Sequence, residues 1–112
     1  MATHSVGAVV LIPFPFSDLS HAKRRPAVVL AEVSRNDFVL CQITSNPYAD
    51  ANAIEIVDSS FVQGGLLRVS YVRPGKLFTA NENLIIKRMG MLRKDVHKSI
   101  VEAVVNLIRT GL

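Results

Sequence analysis

Lys23, Arg24 and Arg25 stand in a row directly before Pro26, and Thr44-Ser45 closes a later apolar stretch. These residue types suit phosphate chemistry. Arginine presents a planar fork of N–H donors that matches a phosphate group. A threonine hydroxyl beside it can hold a further oxygen. Pro26 biases Arg25 toward an extended backbone, so Arg25 is held at the mouth of a strand. A cation and a hydroxyl side by side make a cradle for a phosphodiester; a solvated turn and a strand-end cap is the plainer alternative. Other basic residues cluster at Arg68, Arg73 and Lys76, and at Lys87, Arg88, Arg93 and Lys94. Lys23, Arg24, Arg73 and Lys76 suit contacts to a nucleic-acid backbone.

Other chemistries find no support. His4, His21 and His97 are far apart, and the single cysteine, Cys41, cannot complete a zinc site. There is no phosphate-loop glycine signature and no Gly-x-Ser-x-Gly elbow. No metal and no other cofactor is expected.

The positioning elements read as β for the first two thirds. Gly7–Phe14 is apolar and β-branched, with Pro13 and Pro15 ending it. Pro26–Ser34 is a second strand and Phe38–Thr44 its return, joined by a turn over Arg35–Asp37. That hairpin brings Arg25 and Thr44 to its open end together. Ser45–Asn52 is a loop by composition, and Ala53–Val57 alternates as a strand. Asp58–Gly65 predicts one helical turn capped by Asp58 or Ser59 and stopped at Gly64. Leu66–Arg73 predicts a strand with Leu67, Val69 and Tyr71 on one face, turning at Pro74-Gly75 into Lys76–Ala80. From Asp95 the apolar positions Val96, Ile100, Ala103, Val104, Leu107 and Ile108 follow helical spacing, with Gly111 as the stop.

The chain of 112 residues is 49% apolar and 20% charged, which predicts one globular domain over residues 1–112. Its formal net charge of +4 is compatible with a nucleic-acid partner but does not demand one. No apolar run reaches the ~18 residues of a membrane span. The N-terminus lacks the positive region and cleavage site of a signal peptide, and no internal disulfide can form. A cytoplasmic setting is expected. Short strands and one terminal helix predict a mainly β fold, a small curled barrel carrying a C-terminal α-helix.

Several of these residues also carry a resemblance. Gly7-x-Val9-Val10, then Pro13-Phe14-Pro15-Phe16-Ser17-Asp18, then Lys23-x-Arg25-Pro26-Ala27-Val28-Val29-Leu30 resembles the opening of the MazF/PemK/Kid family of toxin endoribonucleases. Ile43-Thr44 is similar to the family's second motif. Ser70, Thr79 and the Ile85–Leu92 segment match its third. The resemblance runs over about residues 6 to 108. Departures are Ala8 where the family often has Asp, Ser70 where Kid-like members carry an acid, and a short loop from Ser17 to Arg24 without the Glu-Gln of some members.

The resemblance implies the SH3-like barrel of the CcdB/MazF/Kid-like plasmid maintenance toxins and a homodimer. It implies sequence-specific, metal-independent cleavage of single-stranded RNA (mRNA) at short sequences through the 2′-hydroxyl, leaving a 2′,3′-cyclic phosphate and a 5′-hydroxyl. It implies a cognate antitoxin whose tail occupies the RNA groove. Arg25 and Thr44 become the catalytic pair, and Arg68 falls near a catalytic arginine of the Kid branch. Ser17, Lys23, Arg24, Ser45, Arg68, Ser70, Arg73 and Lys76 become RNA contacts. Arginine is a poor base, so the base is open: Asp18, Ser20, His21 or none of them, with His21 the one histidine near the cluster. Phe14, Phe16 and Tyr48 could stack bases. A CcdB-like gyrase inhibitor and an inactive nucleic-acid-binding barrel are the rival readings. The chain has only a short tail beyond Ile108, where gyrase poisons carry their functional residues.

Overall fold

A computed structural model describes residues 5–14, 23–47 and 50–111. Its strands are β1 (Ala8–Phe14), β2 (Lys23–Ser34), β3 (Asp37–Thr44), β4 (Ile54–Ile56), β5 (Phe61–Gly64), β6 (Ser70–Asn81) and β7 (Lys87–Leu92), followed by the helix α1 (Lys94–Thr110). They form one antiparallel sheet in the order β4-β6-β3-β2-β1-β7-β5. The sheet curls into a half-barrel with the helix at the C-terminus. The mainly β fold expected from the sequence is therefore the observed one.

Strand alternation gives the sheet two apolar faces. Val9, Val28, Cys41, Ile43, Ile56 and Val72 line one, and Ile100 of α1 packs into them. Val10, Ile12, Phe14, Ala27, Leu40 and Ala80 line the other.

The β2–β3 hairpin closes through Arg35 and Asn36, at φ +44° and +68°. Positive φ at both central residues is the turn whose twist suits a two-residue hairpin. The turn is thus one residue shorter than expected, and Asp37 already pairs with Ser34. β2 also starts earlier than expected, because Lys23 and Arg24 pair with Phe14 and Pro13 of β1.

Three other expectations fail. Within Asp58–Gly65 only Asp58–Ser60 forms a helical turn, a 3-10 one whose N-cap position is Val57 rather than Asp58 or Ser59. Phe61–Gly64 instead extends as β5 against β7. Gly64 is not a helix stop. Its φ is +66°, and a Cβ there would lie 2.3 Å from the Met89 carbonyl oxygen. Gly90 faces it, where a Cβ would meet the Gln63 carbonyl at 2.6 Å. Close backbone approach therefore excludes side chains at both positions.

The Leu66–Val69 segment lies outside the strand expected there, and Leu67 and Val69 are exposed. Pro74-Gly75 does not turn the chain back. β6 stays with β3 on both sides of it, but Cys41 pairs with Leu77 while Ile43 pairs with Val72. The extra β6 residues form a wide bulge, which accommodates a proline that cannot donate to the ladder.

The helix starts one residue before Asp95, with Arg93 as its N-cap. A cation at a helix N-terminus is unfavourable by the dipole. Here the Arg93 guanidinium binds the Asp95 carboxylate and donates to the Ser59 carbonyl at 2.9 Å. That exposed pairing holds the Asp95 carboxyl below the usual range and raises the Arg93 pKa, in each case mainly through their hydrogen bond. At the other end Gly111, φ +75°, donates its N–H to the Leu107 carbonyl at 3.0 Å.

Candidate active site

The sequence places Arg25 and Thr44 at the open end of one hairpin, and the structure has both just beyond the last β2–β3 pair. Ala27 pairs with Gln42. Two residues further along each strand stand Arg25 and Thr44, on the same face by alternation. Arg25 pairs with Ile12 of β1, which holds it extended. Its side chain is half-buried.

Thr44 is the last residue of β3 and only 9% exposed. Its Oγ1 accepts from the Asn46 N–H and donates to the Asn46 carbonyl, both at 3.1 Å. This local turn fixes the hydroxyl while leaving its proton on a bond that can be exchanged.

The β6 bulge adds a second layer. Arg73 sits in it, and its Nε donates to Asp50 Oδ2 at 2.7 Å. That hydrogen bond is the main cause holding the Asp50 carboxyl below the usual range, with Lys76 adding to it through space. The Arg73 carbonyl accepts from Cys41 Sγ at 2.8 Å. Burial first, and then the Asp50 charge, pushes the Cys41 thiol up to about 12, so it stays protonated and is no nucleophile. Lys76 is exposed on the bulge.

Between the bulge and the end of β1 lies a cleft of about 330 Å³, walled by Phe14, Phe78 and Ile12, with Gln42, Lys76 and Leu84 also lining it. Phe14 and Phe78 meet edge to face, centroids 4.6 Å apart. Gln42 is 6% exposed. By the pairing above, it shares its sheet face with Arg25 and Thr44.

The remaining predicted residues are distributed as follows. Arg24 is exposed and alternates away from Arg25, and Lys23 begins β2. Ser45 is exposed directly after Thr44. Arg68 lines a different cleft of about 540 Å³, with Ile56, Asp58 and Leu66. Ser70 is buried and donates to the Arg68 carbonyl at 3.0 Å. It pairs with Ile56 and alternates away from Tyr71, the partner of Thr44. Arg68 and Ser70 are therefore not brought to the Arg25–Thr44 face. Ser17, His21, Asp18, Ser20, Phe16 and Tyr48 lie outside the described residues. Among the described residues no group of three His, Cys, Asp or Glu side chains could hold a metal ion, and no helix is long and apolar enough to cross a membrane.

Gln42 and Asp50 went unnoticed in the sequence. Gln42 carries a weak signal, as the one amide inside the apolar run Phe38–Ile43. Asp50 carries none, because its partner Arg73 is far along the chain.

Residues 5–108 match the family model of PemK-like, MazF-like toxins of type II toxin-antitoxin systems. The chain belongs to this family. Solved structures agree on the fold of this MazF/PemK-family toxin. A mycobacterial endoribonuclease in complex with its cognate antitoxin superposes with a TM-score of 0.73 at 12% identity, covering 97% of this chain and 96% of that one. Mycobacterium tuberculosis toxin MazF-mt6 gives 0.68 at 19%, covering 91% and 96%. The MazE-MazF structure from Deinococcus radiodurans gives 0.74 at 15%, covering 95% and 96%. A search of the curated proteins finds no match.

Proposed function

We propose that this toxin is an endoribonuclease that cuts single-stranded RNA, using the 2′-hydroxyl as internal nucleophile. The observation that supports the reading is the hairpin register that leaves Arg25 and Thr44 each two residues beyond the Ala27–Gln42 pair, on one face by alternation. In the proposed step the ribose 2′-oxygen bonds to phosphorus as its proton leaves to a base. The bond to the 5′-oxygen breaks, and that oxygen takes up a proton. The products are a 2′,3′-cyclic phosphate and a 5′-hydroxyl, and no water or metal enters the balance.

Arg25 stabilises the charge that builds on the phosphorane and supplies a proton on the leaving side. Preorganised donors of this kind contribute about 2.7–4 kcal/mol. Thr44 turns its proton from the Asn46 carbonyl to a non-bridging oxygen. His21, the one histidine near the cluster in the sequence, is the proposed base. Lys23, Arg24, Arg73 and Lys76 neutralise backbone phosphates, and Ser17 and Ser45 add hydrogen bonds. Arg68, away from that face, meets RNA through the second cleft, where the buried Ser70 hydroxyl holds its carbonyl. We further propose a homodimer, neutralised by a cognate antitoxin as in the mycobacterial and Deinococcus complexes.

The test is cleavage of single-stranded RNA by purified protein in EDTA, with end-group analysis. Activity is expected to survive chelation and to fall at least about 100-fold in Arg25→Ala. Full activity in Arg25→Ala sinks the mechanism. His21→Ala is expected to lower the cleavage rate, and an unchanged rate removes His21 as the base.

A further inference from the structure

The cleft beside the Arg25–Thr44 pair has a chemistry that phosphate binding leaves unused. Its walls are aromatic and aliphatic, from Phe14, Phe78 and Ile12. At about 330 Å³ it lies at the small end of ligand pockets. That is room for one planar heterocycle rather than for a peptide segment. Gln42, 6% exposed, adds a carboxamide to the lining. A carboxamide offers one acceptor beside one donor. Such an amide buried in apolar surroundings is costly unless its hydrogen bonds are made. Lys76 adds a positive charge to the same cleft.

The geometry points to a nucleobase pocket in which Gln42 reads the edge of the base next to the cleaved phosphodiester. This rests on the endoribonuclease reading above. Phe14 and Phe78 pack against the base and supply affinity that any base can use. Gln42 adds a bidentate bond to a base edge that carries a donor beside an acceptor, and the fixed position of its amide in the cleft decides which base meets it. Adenine, through N6 and N7, is the standard bidentate partner of glutamine. Arg25 takes the phosphate attached to that nucleotide, and Lys76 offsets the charge of the next. Gln42 is thus a specificity residue and not part of the bond-breaking machinery.

The test has two arms. In the first, a randomised RNA is cleaved by the wild type, by Gln42→Met, which keeps the volume and removes the amide, and by Gln42→Glu, which keeps only acceptors. The 5′-hydroxyl ends are sequenced. Preference for adenine at one position flanking the cut is expected to fall by about 5- to 150-fold in Gln42→Met. Preferences at other positions should hold. An unchanged cleavage motif in folded Gln42→Met overturns the inference while leaving the nuclease reading intact.

The second arm needs neither variant folding nor cleavage. The Gln42 side-chain amide resonances of the wild type are followed while 2′-deoxy oligonucleotides differing at one base are added. A shift that depends on that base, largest for adenine, supports the pocket even if no RNA is cut. No shift at saturating oligonucleotide overturns it.

Discussion

The two faces of the sheet are made by the same strands and end differently. On one, Ile100 and Val96 of α1 close over Val9, Val28, Cys41, Ile43 and Val72. The Cys41 thiol on this face is buried and bonded to the Arg73 carbonyl. On the other, the apolar residues Ile12, Phe14 and Phe78 run up to a cleft. There the alternation continues into Gln42, Thr44 and Arg25 rather than into more aliphatics. Covering a face with a helix gives stability and leaves no access for a ligand. Leaving its end open exposes the residues able to bind one.

That contrast can be broken most severely on the closed face. Ile100→Ala is expected to cost about 2–5 kcal/mol by removing a fully buried side chain. Urea unfolding should show it as a lower midpoint at unchanged slope. Arg25→Ala should do the reverse, losing about 2.7–4 kcal/mol of transition-state stabilisation while the urea midpoint moves by less than about 1 kcal/mol equivalent. A variant that loses both together would mean the two faces are not separable.

Smaller effects sharpen the boundary between them. The Asp50–Arg73 pair ties the loop after Thr44 to the bulge. The Asp50 carboxyl is held below its ordinary 3.8 when folded. Its contribution is therefore complete above that value and is lost as pH falls through the lower, folded value. Asp50→Asn is expected to lower stability at pH 7 by about 0.2–1 kcal/mol and to have no effect at the acid end. Stability measured from pH 7 down to 2 checks it. Lys76→Ala should reduce the salt slope of single-stranded RNA binding by about 0.7, with the unfolding midpoint unchanged. An unchanged slope would remove Lys76 from the binding face.

Parts of this organisation were legible without coordinates. β1 follows from β-branched apolar residues, and α1 from apolar spacing with Gly111 behind it. That Arg25 and Thr44 lie at the same open end was readable because a hairpin is a local device. Their exact register was not: counting back from the Arg35-Asn36 turn without interruption brings Arg25 opposite Asn46, and only two register shifts, between Glu32 and Ser34 and between Val29 and Ala31, bring it level with Thr44. Phe61–Gly64 misread as helix because the Asp-Ser-Ser before it is a good helix start, and only pairing with β7 makes it a strand. Pro74-Gly75 reads as a turn wherever it occurs. That it is a bulge depends on β3 holding both halves of β6.

By itself, then, the sequence determined the family, the mainly β fold with its C-terminal helix, and the hairpin that carries Arg25 and Thr44 at one end. Each of these rests on local spacing, turn chemistry or motif, which a linear string records. The tertiary structure alone decided the bulge in β6, the Asp50–Arg73 clamp, and the cleft with Gln42 in its lining. Those depend on which distant segments pack together. Whether a polar residue in an apolar strand meets a neighbour, solvent or a cleft is set by the opposite wall.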